Sequence, residues 1–299
     1  MRFILIVATM LTAAGCRTRP WDDLVDAAPD LSTADLSRPP DFAPPPDLTV
    51  IPDLVPPPDL VPPHYCDGIF VFDTDRRLSF FDPKKLTFTD IALLRCPVKA
   101  QNASPFSMGV GRDGFAWVEY TSGELFKVDT YTGNCAATTF QPNQQGFMTF
   151  GMGFAADAPG STKETLFIAG TADIGLGRID LQTMLVTPIG PLPGNAELTG
   201  TGAGELWGFF AEANAHLGRI DKTTAVVNPD IPLPQIGDAS QAGFAFGFFG
   251  GDFYEFLYRN NGSTEVFRYR PADGTVVRVL ANTGRHVVGA GVSTCAPQN

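Results

Sequence analysis

A repeat of about 47 residues runs from residue 65 to residue 299 and limits the possible folds more than any other feature. Its plainest column is a short hydrophobic segment that ends in a charged residue. Five copies of this segment follow one another at spacings of 47, 51, 41 and 49 residues. The copies are Leu78–Asp82, Leu125–Asp129, Leu176–Asp180, Leu217–Asp221 and Val266–Arg270. A period of this length indicates a fold built from equivalent units.

Paired glycines form a second column with the same period. Each pair has the form Gly-x-Gly and lies upstream of a hydrophobic segment, and the fifth copy keeps only its first glycine, Gly247. The complete pairs are Gly109 and Gly111, Gly151 and Gly153, Gly200 and Gly202, and Gly289 and Gly291. Such glycines fit strands that converge where side chains are crowded out.

Four short β-strands, named A to D in chain order, are predicted in each repeat. Runs such as FAWVEY and TLFIAG precede the charged column, and runs such as MLVTPIG and TVVRVL follow it, with turn residues between them. No amphipathic helix is predicted after the N-terminal segment. Four-stranded units with a period of about 40 to 50 residues are typical of propeller blades. We therefore expect an all-β, five-bladed β-propeller over residues 65–299.

The first repeat begins out of phase with the others. Its first strand, GIFVFD, occupies the B position, whereas the last strand of the chain, HVVGAGVST, occupies the A position. The C-terminal strand is therefore expected to complete blade 1 and close the ring, which removes two open sheet edges.

The cysteines provide a test of this register. With Cys16 set aside, four cysteines allow three pairings. The register favours Cys66 with Cys295, where a bond replaces a missing turn, and Cys96 with Cys135 near two D strands. Pairing of Cys66 with Cys96 or Cys135 would contradict it. Zinc is the other reading of these cysteines, but no CxxC motif and no nearby histidine pair supports it, so no metal site is predicted.

Residues 1–15 are typical of an export signal, with Arg2 before an apolar stretch and small residues after it. The sequence Ala13-Ala14-Gly15-Cys16 resembles the bacterial lipoprotein box, and the resemblance implies lipidation of Cys16 and anchoring in a membrane. Arg17 after the cysteine resembles Gram-negative lipoproteins of the outer membrane. The alternative is an ordinary secretory signal with an incidental cysteine.

Residues 16–64 are predicted to form a lipidated cysteine followed by a linker. Thirteen of the 26 prolines lie between residues 20 and 63, and acidic residues recur every six residues. These residues are Asp35, Asp41, Asp47, Asp53 and Asp59. Six residues make two turns of polyproline II, so the five carboxylates share one face of an extended spacer. A stalk through a surface polymer layer, a docking segment for a partner and a solvated tether remain open.

Charge excludes one class of partner. The whole chain carries a formal charge of -11, and residues 65–299 contain 23 acidic residues against 17 basic ones. Because phosphate neutralisation needs a basic face, nucleic-acid binding is not expected.

Several motifs that suggest chemistry are better explained by turns. Gly109–Gly114 matches GxGxxG, but a strand follows where a dinucleotide site needs a helix. Asp73-Thr-Asp75 lacks the glycine and the distal glutamate of a calcium loop. The recurring aspartates are expected to bond the backbone of the turns between strands C and D. They are Asp82, Asp129, Asp180 and Asp221.

Catalytic residues are not predicted. The cores of the A strands contain no acid, and Glu197 and His286 flank two of these cores without forming a pair. Strand B carries an aromatic column that is expected to pack between blades: Phe70, Trp117, Phe167, Trp207 and Phe256.

Ligand-binding candidates are drawn from loops and strand ends. The irregular segments are residues 101–106, 141–147 and 191–197. The candidate ligand-binding residues are Tyr120, Asp173, Glu197, Glu212, Asn260 and His286.

The whole chain resembles Gram-negative bacterial lipoproteins that carry a Pro/Asp-rich linker before a propeller of the Kelch, NHL or quinoprotein type. The resemblance implies architecture and no particular activity. We expect a monomeric, cofactor-free binding module whose partner is a protein or a cell-surface polysaccharide. A hydrolase or lactonase with a site at the central channel is the alternative.

Overall fold

The computed structural model describes residues 65–240, 242–259 and 262–299. Twenty β-strands form five four-stranded antiparallel sheets, and these ranges contain no helix. Within them, no helix is long and apolar enough to cross a membrane. The predicted signal segment, Cys16, the linker and Asn260 lie outside the described residues.

Each sheet is one blade, with its strands in the order A to D from the axis outward. Blade 1 contains β20 (Val287–Gly291), β1 (Ile69–Asp73), β2 (Arg77–Asp82) and β3 (Thr87–Leu93). Blade 2 contains β4 (Pro105–Val110), β5 (Phe115–Tyr120), β6 (Leu125–Asp129) and β7 (Cys135–Ala137). The five-bladed fold predicted from the repeat is confirmed.

The remaining three blades each use four consecutive strands. Blade 3 contains β8 (Phe150–Ala156), β9 (Glu164–Gly170), β10 (Gly175–Asp180) and β11 (Leu185–Gly190). Blade 4 contains β12 (Ala196–Gly200), β13 (Leu206–Phe210), β14 (His216–Ile220) and β15 (Val227–Pro232). Blade 5 contains β16 (Gly243–Phe249), β17 (Asp252–Tyr258), β18 (Glu265–Arg270) and β19 (Thr275–Leu280).

The C-terminal strand closes the ring, as the register predicts. β20 pairs antiparallel with β1, and Val71 lies opposite Ala290. Disulfides join Cys66 to Cys295 and Cys96 to Cys135, which confirms the favoured pairing. Disulfides persist outside the reducing cytosol, so the domain belongs on the extracellular or cell-envelope side.

Close packing of the inner strands explains the paired glycines. A Cβ at Gly153 would lie 2.5 Å from the carbonyl oxygen of Leu198 in the next blade, and one at Gly151 would collide with the carbonyl of Ala196. Only glycine allows β8 and β12 to approach this closely.

Aromatic residues of strand B fill the spaces between blades. The Trp207 ring lies 4.9 Å from Phe253 of blade 5, and Phe256 lies 5.4 Å from Phe81 of blade 1. All five members of the predicted column are buried in clusters that join neighbouring blades: Phe70, Trp117, Phe167, Trp207 and Phe256. The hydrophobic core is therefore a ring of five layers rather than one central mass.

The acidic column stabilises the turns between strands C and D. The Oδ1 atom of Asp129 accepts hydrogen bonds from the amides of Tyr131 and Thr132, both at 2.9 Å. The same pair of bonds occurs at Asp82, Asp180 and Asp221. These are the Asx turns expected from the sequence.

Alternating strand direction gives the propeller two different faces. The inner strands begin at one face, where the B–C loops and the D–A connections also lie, and we call this the loop face. The inner strands end at the other face, which carries the A–B and C–D turns and which we call the turn face. The Gly109–Gly114 motif lies in the β4–β5 hairpin at the turn face, as a turn rather than a dinucleotide site.

Candidate ligand-binding site

A cavity of about 320 Å³ opens at the centre of the loop face. Inner strands of all five blades contribute to it where they begin. The inner-strand residues that line it are Pro105, Phe106, Gly151, Ala196, Glu197, Gly243, Phe244 and Val288. Its volume is at the low end for small-molecule sites, so it suits a small group. We call it the axial cavity.

The walls of the axial cavity combine apolar and neutral polar groups. Phe106, Phe244 and Val288 are partly exposed and supply the apolar surface. Thr171, Asn195, and Ser240 add hydroxyl and amide groups near the rim. Among the described residues that line it, Glu197 alone is ionisable. Apolar walls with a few converging polar groups are typical of binding sites.

Glu197 lies in β12 and is only 4% exposed. Its Oε2 atom accepts a hydrogen bond of 2.9 Å from the hydroxyl of Ser107 in blade 2, across the axis. The same hydroxyl accepts a bond of 3.2 Å from the amide of Met152. The amide of Met152 also lies close to the Glu197 carboxyl, and its hydrogen bond lowers the pKa of this carboxyl.

A second buried carboxyl lies behind the first. Glu119 in β5 faces Ser107 across the blade 2 sheet and is fully buried. Its Oε2 atom accepts a bond of 3.1 Å from the amide of Phe150, while its Oε1 atom has no partner among the described residues. Burial raises the pKa of both carboxyls well above the ordinary value, and repulsion by Glu197 raises the pKa of Glu119 further.

These two carboxyls correct the sequence analysis at one point. Glu197 was expected to flank the core of an inner strand, but β12 begins at Ala196 and includes it. The D–A connection before blade 4 is short, so the strand starts early and Glu197 points toward Ser107. Glu119 was not predicted at all. It is a single acid in the buried strand FAWVEY, and that departure from an apolar pattern was the available signal.

Tyr120, a predicted binding residue, lies in the core. Its side chain is 0% exposed, and its ring packs against Phe72 at 5.9 Å and Phe126 at 5.4 Å. The residue ends β5, and the loop that follows turns its ring inward. A ligand at the loop face therefore does not reach Tyr120.

Asp173 and Glu212 lie together at the rim of the axial cavity. The Oδ1 atom of Asp173 accepts a hydrogen bond of 2.8 Å from the amide of Gly194. The carboxylate of Glu212 lies beside the same glycine. Since Gly194 precedes the cavity residue Asn195, these two exposed acids flank the blade 4 side of the opening.

His286 lies on the opposite side of the rim. Its ring stacks on Tyr258 with 4.4 Å between centroids, and its Nδ1 atom is 3.5 Å from the hydroxyl oxygen of Thr74. It precedes β20, whose residue Val288 lines the cavity. Asn260, the remaining candidate, lies outside the described residues.

The C-terminal tail lies across the turn face. Arg112 donates to Thr294 through Nε at 2.6 Å, and the Thr294 hydroxyl donates to Glu164 at 2.7 Å. The amide of Gly250 donates to the carbonyl of Pro297 at 2.9 Å. These contacts reach blades 2, 3 and 5, so the tail spans the end of the channel that is remote from the axial cavity.

The two buried carboxyls do not both reach the axial cavity. A glycosidase needs two carboxyls that both reach the substrate. Here Glu197 lines the cavity, whereas Glu119 is 0% exposed behind it. Within the described residues, no group of three His, Cys, Asp or Glu side chains could hold a metal ion.

Comparison with known proteins does not assign this chain to a family. No family model and no curated protein matches the chain. Among solved structures, it is similar to a chain of a nidogen/laminin complex (TM-score 0.48, 10% identity, covering 75% of this chain and 97% of that one). It is also similar to a Bacteroides caccae protein of unknown function (TM-score 0.47, 9% identity, covering 75% of this chain and 97% of that one). A further similar structure is the β-propeller domain of Myceliophteria thermophila Cps50 (TM-score 0.38, 10% identity, covering 73% of this chain and 86% of that one). This similarity is too low to indicate a function.

Proposed function

We propose that this chain is a lipid-anchored binding module of the cell envelope, and that its propeller holds a small group of a partner in the axial cavity without catalysing a reaction. The axial cavity carries this proposal. All five inner strands begin at it, its walls are apolar and neutral polar, and the candidate residues Asp173, Glu212 and His286 lie close to residues that line it. A partner that binds here is a protein or a cell-surface polysaccharide, and the propeller acts as a monomer.

The N-terminal sequence supports the anchored location. The segment Ala13-Ala14-Gly15-Cys16 supplies a lipidation site, and the proline-rich linker gives the propeller reach. If fully extended as polyproline II, residues 17–64 would span about 150 Å. Both disulfides fit the oxidising side of a membrane.

Lipidation is tested by changing one residue. We expect the wild-type chain to take up a labelled fatty acid and to fractionate with outer membranes. The Cys16→Ser variant should lose the label and leave the membrane fraction. A labelled Cys16→Ser variant, or an unlabelled wild-type chain that is cleaved and soluble, contradicts the lipid anchor and favours an ordinary secretory signal.

A cross-linked pull-down from intact cells tests the binding function. Ser240→Trp places a large side chain at the axial cavity from an exposed loop. As a control, Gln182→Trp introduces the same large side chain in an exposed turn at the turn face. We expect the wild-type chain and Gln182→Trp to recover the same partner and Ser240→Trp to lose it. Equal recovery by all three chains places the partner elsewhere.

The hydrolase or lactonase alternative has one observation in its favour, the two buried carboxyls Glu119 and Glu197 beside the channel. It is tested with the purified propeller on a panel of sugar and lactone esters. Turnover that is lost in Glu197→Gln, together with failure to recover a partner, overturns the binding proposal.

A further inference from the structure

We infer that the axial cavity recognises a primary ammonium group, with Glu197 as its counter-ion and Phe106 and Phe244 as apolar walls. This inference rests on the proposed binding function and names the chemical class of the bound group. The observation behind it is a carboxyl that is more than nine-tenths buried, lines the cavity and is the only ionisable group among the described residues that line it.

The surroundings of Glu197 supply no positive charge. From β4 it faces the hydroxyl of Ser107, from β8 the amide of Met152, and from β5 the carboxyl of Glu119. Among the described residues that line the cavity there is no Lys, Arg or His. Buried carboxylates are normally paired with a cation, and because the described lining supplies none, a positively charged ligand would provide that partner.

The shape of the cavity agrees with a primary ammonium on a short carbon chain or ring. Phe106 and Phe244 offer aromatic surface, which attracts cations as well as carbon–hydrogen groups. Thr171, Asn195 and Ser240 near the rim offer oxygen acceptors to the remaining N–H bonds. A quaternary ammonium could not form those bonds, and a guanidinium would pair with both oxygens of one carboxylate, of which Oε2 already accepts from Ser107.

Binding releases a proton. Burial raises the pKa of the Glu197 carboxyl and so favours its neutral form, whereas an arriving R–NH₃⁺ favours the carboxylate. The exchange is R–CH₂–COOH of Glu197 plus R′–NH₃⁺ giving a carboxylate–ammonium pair plus H⁺ in solvent. Burial and repulsion by Glu197 both raise the pKa of Glu119, so a negative charge on Glu197 favours the neutral form of Glu119. Affinity therefore rises with pH until the carboxyl of the free protein is ionised.

An ammonium of this kind can come from an amino sugar or from a lysine side chain. Four probes separate these sources and isolate the charge: glucosamine, N-acetylglucosamine, Nα-acetyl-lysine amide and Nα,Nε-diacetyl-lysine amide. Each acetylated probe keeps most of the shape of its partner but lacks the positive charge.

Titration calorimetry in two buffers of different ionisation enthalpy measures both affinity and proton release. We expect at least one amine probe to bind, its acetylated partner to bind about tenfold more weakly or not at all, and about one proton to be released. Preference for glucosamine indicates an amino sugar, and preference for the lysine amide indicates a protein partner.

Two matched variants complete the test. Glu197→Gln keeps the size of the side chain and the acceptor for Ser107, and it should weaken amine binding about tenfold or more. Glu255→Gln changes another fully buried carboxyl, one that does not line the cavity, and should leave binding unchanged. If Glu197→Gln does not fold, the comparison of free and acetylated probes on the wild-type protein still decides the question.

Failure of this inference is distinguishable from failure of the binding function. Equal affinity for free and acetylated probes, absence of proton release, or unchanged amine binding in Glu197→Gln overturns the ammonium site. Binding of N-acetylglucosamine or the diacetylated lysine that Ser240→Trp abolishes would retain the axial cavity as a binding site for a neutral group. If no probe binds the wild-type protein, the ammonium site is overturned, and the pull-down decides the binding function.

Discussion

Cys66 and Cys295 are bonded to each other although 229 residues separate them in the chain. Cys66 precedes strand B of blade 1, and Cys295 follows strand A of the same blade. In the other four blades a short turn of the continuous chain connects strand A to strand B. The disulfide is thus the covalent substitute for the turn that blade 1 lacks, and it holds the ring closed where the two ends of the propeller meet.

Removal of the Cys66–Cys295 disulfide should destabilise the propeller more than removal of the Cys96–Cys135 disulfide. Loss of loop entropy in the unfolded chain assigns about 5.5 kcal/mol to the 229-residue separation of Cys66 and Cys295. It assigns about 4 kcal/mol to the 39-residue separation of Cys96 and Cys135. Urea unfolding of the paired Ser variants should therefore differ by about 1.5 kcal/mol. A larger loss for the Cys96–Cys135 pair would mean that ring closure contributes little.

The repeat explains why most of the fold could be predicted from the sequence. Blade register, ring closure, the aromatic column and the Asx turns all follow from features that recur, and each copy supports the others. Asp129 and Asp180, for example, are 51 residues apart and make the same pair of turn bonds.

The candidate site could not be predicted in the same way, because it consists of departures from the repeat. Glu197 occupies the position that Ser107 has in blade 2 and Gly151 has in blade 3. Its contact with Ser107 joins residues that are 90 positions apart in the sequence. It depends on blade 3, which lies between them and has a glycine, Gly151, at the equivalent position. Periodicity places strands, but it does not show which unique side chains meet at the axis.

Glu255 should make stability fall as pH rises. It is fully buried in β17, neither carboxyl oxygen bonds another described residue, and burial raises the pKa of this carboxyl well above 4.5. The folded protein therefore holds this proton more tightly than the unfolded chain, and stability is lost as pH rises above the unfolded value. Glu255→Gln removes this loss.

Urea unfolding at two pH values measures the effect. At pH of about 3, Glu255 is protonated in both states, so the two proteins should differ little. At pH of about 8, Glu255→Gln should be the more stable protein. Parallel stability curves for the two proteins across this range would contradict the prediction.

Asp221 should show the opposite pH dependence. Hydrogen bonds from the hydroxyl of Thr223 and the amides of Thr223 and Thr224 lower the pKa of this exposed carboxyl from 3.8 to about 2. Its contribution to stability is present above 3.8 and is lost as pH falls toward about 2.

NMR titration of the Asp221 side chain should give a midpoint at a pH of about 2. Asp221→Asn keeps the acceptor oxygen of the turn but cannot titrate, so its stability should decline less steeply between these two pH values. An ordinary midpoint for Asp221 would show that the turn bonds are weaker in solution.

Arg112 should control how firmly the C-terminal tail is held. Its Nε atom donates to the hydroxyl of Thr294 and its Nη2 atom to the carbonyl of the same residue, at 2.6 and 2.9 Å. Arg112→Ala removes both bonds, and loss of hydrogen bonds to a charged group costs about 2 kcal/mol. Because the disulfide at Cys295 still holds the tail, we expect local opening rather than unfolding of the ring.

Hydrogen exchange detects this opening at the amide of Gly250, which donates to the carbonyl of Pro297. Its exchange should become about tenfold faster or more in Arg112→Ala, while amides of the inner strands stay protected. Lys163→Ala, a change at an exposed residue in the β8–β9 turn of the same face, serves as the control and should leave the amide of Gly250 protected. Equal exchange in both variants would mean that the disulfide alone fixes the tail, and faster exchange throughout the inner strands would mean that Arg112 supports the whole ring.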